Sequence, residues 1–113
     1  TILKLIANGR IWIDTPEGPL LGYGRIELLE KVKLTGSIRQ AALAMKMSYR
    51  QAWYLIDQMN TRAGSPLVNS KRGGKGGGQA TLTETGEKAI MIFKNFNKDF
   101  QEFLQERSKK IIL

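Results

Sequence analysis

The chain of 113 residues contains neither cysteine nor histidine. Without cysteine there is no disulfide framework, no thiolate nucleophile and no Cys-ligated zinc. Without histidine there is no Ser-His-Asp triad, no His-ligated metal and no imidazole acid–base catalysis. The carboxylates are scattered and form no pair at a spacing typical of catalysis or of a metal cage. We therefore predict a protein that is not an enzyme, with no catalytic residue, no metal and no cofactor.

Long hydrophobic runs are also missing. The apolar stretches extend over only a few residues, which is too short to span a bilayer, and we identify no secretory leader. Hydrophobic residues still make up 42% of the chain, which is above the range of disordered sequences and enough for one packed core. This composition predicts a cytoplasmic protein with no membrane partner.

Acidic residues are scarce in the middle of the chain. Of a formal net charge of +8, residues 37–83 carry +6, from seven Lys and Arg residues and one carboxylate, Asp57. Positive charge concentrated on one segment is typical of a protein that binds the phosphate backbone of nucleic acid. The alternative is a solvated basic face that maintains solubility.

Two short helices are predicted within this basic segment. Ser37-Ile38-Arg39-Gln40 and Ser48-Tyr49-Arg50-Gln51 each match a capping box, in which the serine accepts from the N3 amide and the glutamine returns to the N-cap amide. The boxes begin eleven residues apart, which is the spacing of a helix, a tight turn and a second helix. Residues 38–45 and 49–62 are therefore predicted to form a helix-turn-helix.

A basic, glycine-rich loop follows, with the sequence Lys71-Arg72-Gly73-Gly74-Lys75-Gly76-Gly77-Gly78. Short strands are predicted on both sides, at 67–69 and 80–82, so the segment has the form of a β-wing. It does not match a nucleotide-binding P-loop, because Lys75 is followed by glycine rather than by serine or threonine. Helix-turn-helix and wing together predict double-stranded DNA as the partner, and a loop tip without contacts is the alternative for the wing.

Side chains at the start of the second helix are expected to enter the major groove. Arg50 suits a guanine edge or a phosphate, whereas Trp53 either covers the core or reaches the DNA, with packing favoured. The helix start at Ser37 suits a phosphate or serves capping alone. The predicted DNA-binding residues are Ser37, Arg39, Ser48, Tyr49, Arg50, Tyr54, Lys71, Arg72 and Lys75.

The N-terminal region is predicted to contain a β-hairpin. Asn8-Gly9 is the preferred pair for a type I′ turn, which needs φ > 0 at both positions. A second turn is expected at residues 16–19. Because an isolated hairpin is marginally stable, this one must pack on the helices or on a second subunit. A helix over residues 25–34, ended by Gly36, leads into the helix-turn-helix.

A long helix is predicted from Glu84 to about Ser108, with Thr83 as its N-cap. All four phenylalanines of the chain fall on it at spacings of three and four. A stripe of this length must be buried, and a second copy of the same helix is the simplest partner. The alternative folds the helix back on its own domain and hairpin. The predicted dimerisation residues are Phe93, Phe96, Phe100, Phe103 and Leu104.

Several of these motifs resemble a known family. Gly36-Ser37-Ile38 and Leu82-Thr83-x-x-Gly86 are similar to the winged helix-turn-helix of LysR-type regulators. The run MSYRQAW at residues 47–53, together with the wing GGKGGG, resembles the DNA-binding domain of the molybdate-responsive, ModE-type regulators. The resemblance covers roughly residues 24–90. It implies a bacterial or archaeal transcription factor that dimerises through helices flanking the winged domain and binds a roughly palindromic operator.

The same resemblance assigns roles by position. It implies that residues 48–62 form the groove-reading helix and residues 71–78 the wing. Full-length members of the family continue into a C-terminal molybdate-binding region, for which 113 residues leave no room. We therefore expect a stand-alone DNA-binding form or a segment of a longer protein, and we assign no molybdate site.

The predicted fold class is α+β, a winged helix-turn-helix with an N-terminal β-hairpin and a long C-terminal dimerisation helix. Residues 1–21 are predicted as the hairpin segment, 22–83 as the DNA-binding domain and 84–113 as the dimerisation helix. The predicted function is a homodimeric, sequence-specific transcriptional regulator, with the recognition helix in the major groove and the wing on the backbone or minor groove. The alternatives are a protein-interaction or assembly module that uses the phenylalanine stripe, and a small-ligand sensor with a pocket at the dimer interface, near the N-terminal hairpin.

Overall fold

The computed structural model describes residues 3–71 and 78–113. Ile13–Thr15 pairs antiparallel with Gly18–Leu21, and Val68–Lys71 pairs antiparallel with Gln79–Leu82. The predicted α+β fold is confirmed, with an N-terminal hairpin, three helices typical of a winged helix-turn-helix, a second hairpin and a long C-terminal helix. Arg72, Lys75 and the wing tip around them lie outside the described residues. The elements in chain order are β1 (Ile13–Thr15), β2 (Gly18–Leu21), α1 (Tyr23–Thr35), α2 (Ile38–Ala44), α3 (Tyr49–Arg62), β3 (Val68–Lys71), β4 (Gln79–Leu82) and α4 (Glu84–Ser108).

Side-chain caps determine where three of the helices begin. Ser37, Ser48 and Thr83 each accept a hydrogen bond from the amide three residues further on, at N···O distances of 3.2, 3.0 and 3.0 Å. Accordingly α3 and α4 begin where the sequence predicts, and they also end at the predicted residues, Arg62 and Ser108. In both capping boxes only the serine half forms, and among the described residues neither Gln40 nor Gln51 accepts from its N-cap amide. The Ser37 amide donates instead to Thr35 Oγ1 at 3.3 Å.

The core lies where α1, α2, α3 and the wing strands meet. Leu28, Leu29 and Val32 of α1 are fully buried. Ala41 and Ala42 of α2 are buried as well, and their small side chains let neighbouring helices approach closely. The inward face of α3 follows the predicted helical spacing, with Ala52, Ile56 and Met59 buried.

Asn60 joins the end of α3 to the wing. Its Oδ1 accepts hydrogen bonds from the amides of Leu67 (2.8 Å) and Val68 (3.2 Å), and its Nδ2 donates to the Val68 carbonyl oxygen (2.9 Å). On the other wing strand, the Ala80 amide donates to the Gly36 carbonyl oxygen at 2.9 Å. The two strands are thus held at fixed positions relative to the helix-turn-helix.

The N-terminal hairpin forms at a different place from the predicted one. The type I′ turn predicted at Asn8-Gly9 is wrong, since these residues belong to no strand pair and neither has a positive φ. β1 and β2 instead pair around residues 16–17, with Thr15 opposite Gly18, whose φ is 133°. Gly9 serves a close contact, because a Cβ there would lie 3.1 Å from the Phe100 ring.

The four phenylalanines of α4 lie on two adjacent rows. Phe93 is only 3% exposed and packs edge-on against Tyr23, with ring centroids 5.4 Å apart. Phe100 is half-buried under Gly9. Phe96 and Phe103 are 58% and 54% exposed. The monomer therefore covers an inner row, which contains Phe93 and Phe100, and leaves uncovered an outer row, which contains Phe96 and Phe103. Neither α4 nor any other helix in the described ranges is both long and apolar enough to traverse a bilayer.

The N-terminal segment, residues 3–12, runs along the second half of α4. The Ala7 amide donates to Ser108 Oγ at 2.7 Å, and Gln101 Nε2 donates to the Gly9 carbonyl oxygen at 3.2 Å. Tyr23, at the start of α1, donates its hydroxyl proton to Asn97 Oδ1. These bonds hold the inner row of α4 against the same chain, as the fold-back alternative for this helix proposed.

Candidate nucleic-acid interface

The face of α3 opposite the core is aromatic and basic. Tyr49, Trp53 and Tyr54 are 45%, 40% and 60% exposed, and Arg50 is exposed beside them. Ser48 caps the helix at the end where these side chains begin. The helix-turn-helix therefore presents a continuous surface of hydrogen-bonding and cationic groups away from the core.

Arg39 of α2 reaches across to the first turn of α3. Its Cζ lies 5.0 Å from the centroid of the Tyr49 ring, which is a cation–π contact. Both side chains are exposed. Two of the predicted DNA-binding residues, which the sequence places on different helices, thus touch each other on the surface.

A cleft of about 130 Å³ lies between this surface and the wing strands. Arg39 lies on its helical side and Lys71 on its wing side, and the described lining includes no carboxylate. Hydroxyl, amide and cationic donors around a concave site suit the oxygens of a phosphate. The lining residues are Ser37, Ile38, Arg39, Tyr49, Trp53, Ser70, Lys71, Gly78, Gln79 and Ala80.

The cleft brings together part of the predicted DNA-binding set. Ser37, Arg39, Tyr49 and Lys71 line it. The other described members, Ser48, Arg50 and Tyr54, belong to α3 or its N-cap and are exposed. Arg72 and Lys75 belong to residues that the structure does not describe.

A hydrogen-bonded group behind Tyr54 was missed by the sequence analysis. Gln58 Oε1 accepts from Arg25 Nη2 at 2.7 Å and from Arg62 Nη1 at 3.1 Å, and Gln58 Nε2 donates to Tyr54 Oη at 2.8 Å. Arg62 Nη1 also donates to the Pro19 carbonyl oxygen at 2.7 Å. The i, i+4 spacing of the three α3 residues was an available signal, but Arg25 belongs to another helix.

Arg25 is the electrostatically unusual member of this group. Burial lowers its pKa, and the positive charge of Arg62 lowers it further, whereas Tyr54 acts in the opposite direction. The guanidinium stays protonated at neutral pH, because the ordinary pKa of arginine is far higher. Its Nη1 is buried without a hydrogen-bond partner among the described residues. Within the same ranges no carboxylate pairs with Arg25 or Arg62, so two cations share one amide oxygen.

The predicted dimerisation residues are divided between the two rows of α4. Phe93 is part of the monomer core, and Phe100 and Leu104 are half-buried next to Gly9. Phe96 and Phe103 are exposed, and Ile92, four residues before Phe96, is 45% exposed. The outer row is therefore the part of the predicted set that a second molecule can reach.

Comparison with known proteins agrees with this geometry. Residues 24–87 match the family described as bacterial regulatory helix-turn-helix protein, lysR family. The chain is 36% identical over 102 residues to the molybdenum transport protein ModE of Azotobacter vinelandii, over 90% of this chain and 38% of that protein. It is 46% identical over 69 residues to the transcriptional regulator ModE of Yersinia pestis, and 44% identical over 69 residues to the DNA-binding transcriptional dual regulator ModE of Escherichia coli strain K12. The resemblance to ModE-type regulators is confirmed.

The matched segment is a minor part of these relatives. The alignments with the Yersinia and Escherichia proteins cover 61% of this chain and 26% of each relative, so the chain spans 38% or less of the length of the three proteins. The properties of those whole proteins therefore do not pass directly to this chain.

Two solved structures share this fold. One is described as a LysR family transcriptional regulator, with a TM-score of 0.54 and 22% identity over 72% of this chain and 26% of that chain. The other is Corynebacterium glutamicum OxyR in its oxidized form, with a TM-score of 0.51 and 17% identity over 74% of this chain and 26% of that chain. At these identities the likeness shows the fold alone.

Proposed function

Because the chain belongs to the lysR family of bacterial regulatory helix-turn-helix proteins, we propose that it is a transcriptional regulator that binds double-stranded DNA through α3 and the wing. The observation that carries the proposal is the basic cleft between α2, α3 and the wing strands, with Arg39 and Lys71 among its lining residues. A regulator of this kind acts in the cytoplasm, where the DNA of a bacterium is found.

The proposed division of labour follows the chemistry of the side chains. Lys71 and Arg39 are placed to neutralise backbone phosphates, which supplies affinity but little sequence information. Arg50 and Tyr49, at the start of α3, are placed to meet base edges in the major groove. Ser37 and Ser48 bind the backbone or cap their helices. The sequence adds Arg72 and Lys75 as further phosphate contacts in the wing.

We also propose that the protein is a homodimer formed along α4. The interface uses the outer row, in which Phe96 and Phe103 are seven residues apart, the repeat that keeps one row facing a partner helix. Phe93, Phe100 and Leu104 contribute indirectly to the dimer, because they pack α4 against its own domain. A two-fold dimer would place two copies of α3 on half-sites about one helical turn apart.

No molybdate site is proposed for this chain. The name of the Azotobacter relative refers to molybdenum, but the shared segment spans the winged domain and its flanking elements. For the cleft residues of that domain we propose phosphates and bases as the partners.

Fluorescence anisotropy on labelled duplex DNA tests the proposal. The upstream region of the protein's own operon is compared with a scrambled duplex of equal length at several salt concentrations. We expect binding that weakens steeply with salt and that favours the upstream region. Equal, weak affinity for both duplexes would contradict sequence-specific regulation. No binding at low salt would reject DNA as the partner and would favour a protein-interaction module that uses the outer row of α4.

A further inference from the structure

The amide of Gln58 has one allowed orientation in this fold. Two guanidinium groups, those of Arg25 and Arg62, point at the same amide atom at 2.7 and 3.1 Å. Guanidinium groups donate hydrogen bonds and accept none, so that atom must be the carbonyl oxygen. The NH₂ group of Gln58 is then directed at Tyr54 Oη, 2.8 Å away. The two cations thus determine the direction of the next hydrogen bond.

The environment keeps both guanidiniums in place. Arg62 is held by the Pro19 carbonyl oxygen at 2.7 Å, and Gly18 lies against it, since a Cβ on Gly18 would be 3.1 Å from Arg62 Cζ. Arg25 is half-buried at the start of α1. The orientation of the amide is therefore fixed from α1, α3 and the hairpin at once.

Tyr54 is the exposed end of this group. Its hydroxyl oxygen accepts the bond from Gln58, so its own proton is available to a partner outside the protein. The side chain is 60% exposed and follows Arg50 by four residues, one helical turn along the face of α3. A hydroxyl in this position presents a hydrogen-bond donor at the surface proposed to bind DNA.

We propose that Gln58 is a positioning residue that makes Tyr54 a hydrogen-bond donor to DNA. The matching group on the DNA is an acceptor, either a phosphate oxygen or an acceptor atom on a base edge in the major groove. This inference rests on the proposed function and adds the direction of one contact within it. Arg25 and Arg62 contribute by orienting Gln58, without reaching the DNA through this group.

A cycle of four proteins tests the inference: the wild type, Tyr54→Phe, Gln58→Glu and the double variant. In Gln58→Glu the new carboxylate still accepts from both arginines, but it has no proton to donate to Tyr54. The Tyr54 hydroxyl then donates to that carboxylate and is lost to the DNA. We expect Gln58→Glu to weaken DNA binding about fivefold more when Tyr54 is present than in the Tyr54→Phe background, the effect of one hydrogen bond.

Added negative charge is the main confounding factor, and Thr61→Glu controls for it. Thr61 is exposed on the same helix, one turn from Gln58 and outside the hydrogen-bonded group. Its substitution should weaken binding equally with Tyr54 present and in the Tyr54→Phe background. A second variant, Gln58→Met, removes the donor without adding charge, so it serves if the carboxylate disturbs folding. It too should lower affinity only when Tyr54 is present.

The outcomes separate this inference from the proposed function. A Tyr54-dependent loss on both duplexes identifies a phosphate oxygen as the acceptor, and a loss confined to the upstream duplex identifies a base edge. If the wild-type protein binds DNA but each Gln58 variant costs the same in the Tyr54→Phe background as with Tyr54 present, the positioning role is refuted. If the wild-type protein does not bind DNA, the proposed function itself fails.

Discussion

The backbone of Leu67 passes so close to Gly86 that a Cβ on Gly86 would lie 2.2 Å from the Leu67 carbonyl oxygen. The same oxygen accepts a hydrogen bond from the Thr83 amide at 2.9 Å. Thr83 Oγ1 donates to the Pro66 carbonyl oxygen at 2.6 Å and accepts from the Gly86 amide at 3.0 Å. The first turn of α4 is thereby fastened to the chain that enters the wing.

Gly86→Ala should destabilise the protein by about 3 kcal/mol, because a backbone oxygen cannot move away from the new methyl group without shifting β3 or α4. Thermal unfolding followed by circular dichroism measures the effect. Gly24→Ala is the matched control, since Gly24 lies in α1 with no atom within 4 Å of the added Cβ. That change should stabilise by about 0.5–1 kcal/mol. Equal melting temperatures for the two variants would contradict the proposed clash.

Asn60→Ala should cost about 2–3 kcal/mol of unfolding free energy. It removes three hydrogen bonds and leaves the amides of Leu67 and Val68 without their acceptor. Urea unfolding measures the loss, with Asn69→Ala as the control, because Asn69 is exposed on β3. Asn60→Asp keeps the acceptor but removes the donor, and its stability should lie between that of the wild type and that of Asn60→Ala. A value for Asn60→Ala within error of Asn69→Ala would rule out Asn60 as the anchor of the wing.

Lys71→Ala should weaken DNA binding equally on the upstream and scrambled duplexes. Loss of one phosphate contact reduces the slope of log K against log salt by about 0.9. Anisotropy titrations over a salt series give the slope. Lys110→Ala removes the same charge beyond the end of α4 and should leave the slope unchanged. If Lys71→Ala, like Lys110→Ala, left the slope at its wild-type value, Lys71 would not contact the DNA.

Arg50→Ala should lower affinity for the upstream duplex by about 1–3 kcal/mol and relax the preference at one base pair, the result expected for a bidentate contact to a guanine edge. Competition with duplexes that carry single base-pair changes locates that base pair. A uniform loss on every duplex would identify Arg50 as a phosphate contact.

Phe96→Glu and Phe103→Glu should shift the protein from dimer to monomer, because each places a charge in the outer row of α4. Sedimentation equilibrium measures the association. Met91→Glu is the matched control, since Met91 is 57% exposed and lies five residues before Phe96, on a different side of α4. It should leave the dimer intact. A wild-type protein that is monomeric at micromolar concentration, or a dimer that tolerates both glutamates, would refute the interface.

Local signals in the sequence predicted the helices well. Ser48 and Thr83 cap α3 and α4 through hydrogen bonds to amides three residues away. A motif of that length is therefore enough to predict where each helix begins. Buried alanines on α2 and the Ala52, Ile56 and Met59 stripe followed from helical periodicity. Such features depend on neighbours in sequence, which is why one chain suffices to predict them.

Other features depend on contacts between distant residues. Asn8-Gly9 has the sequence of a type I′ turn, but Gly9 is held against Phe100 and its carbonyl oxygen accepts from Gln101, so tertiary packing prevailed over turn preference. The phenylalanine spacing predicted one stripe, and the same packing divided it into two rows. Arg25 and Gln58 are 33 positions apart in the sequence, and no local pattern predicts their contact.

The length of α4 allows it to act as a lever arm in the proposed dimer. Its 25 residues extend about 37 Å at roughly 1.5 Å per residue, and the close contact between Leu67 and Gly86 joins one end firmly to the wing. A tilt of about 5° at the far end would therefore swing the winged domain by about 3 Å over that length. In the proposed dimer this displacement is close to the roughly 3.4 Å rise of one base pair. The crossing angle of two α4 helices would set the spacing of half-sites that the pair can span.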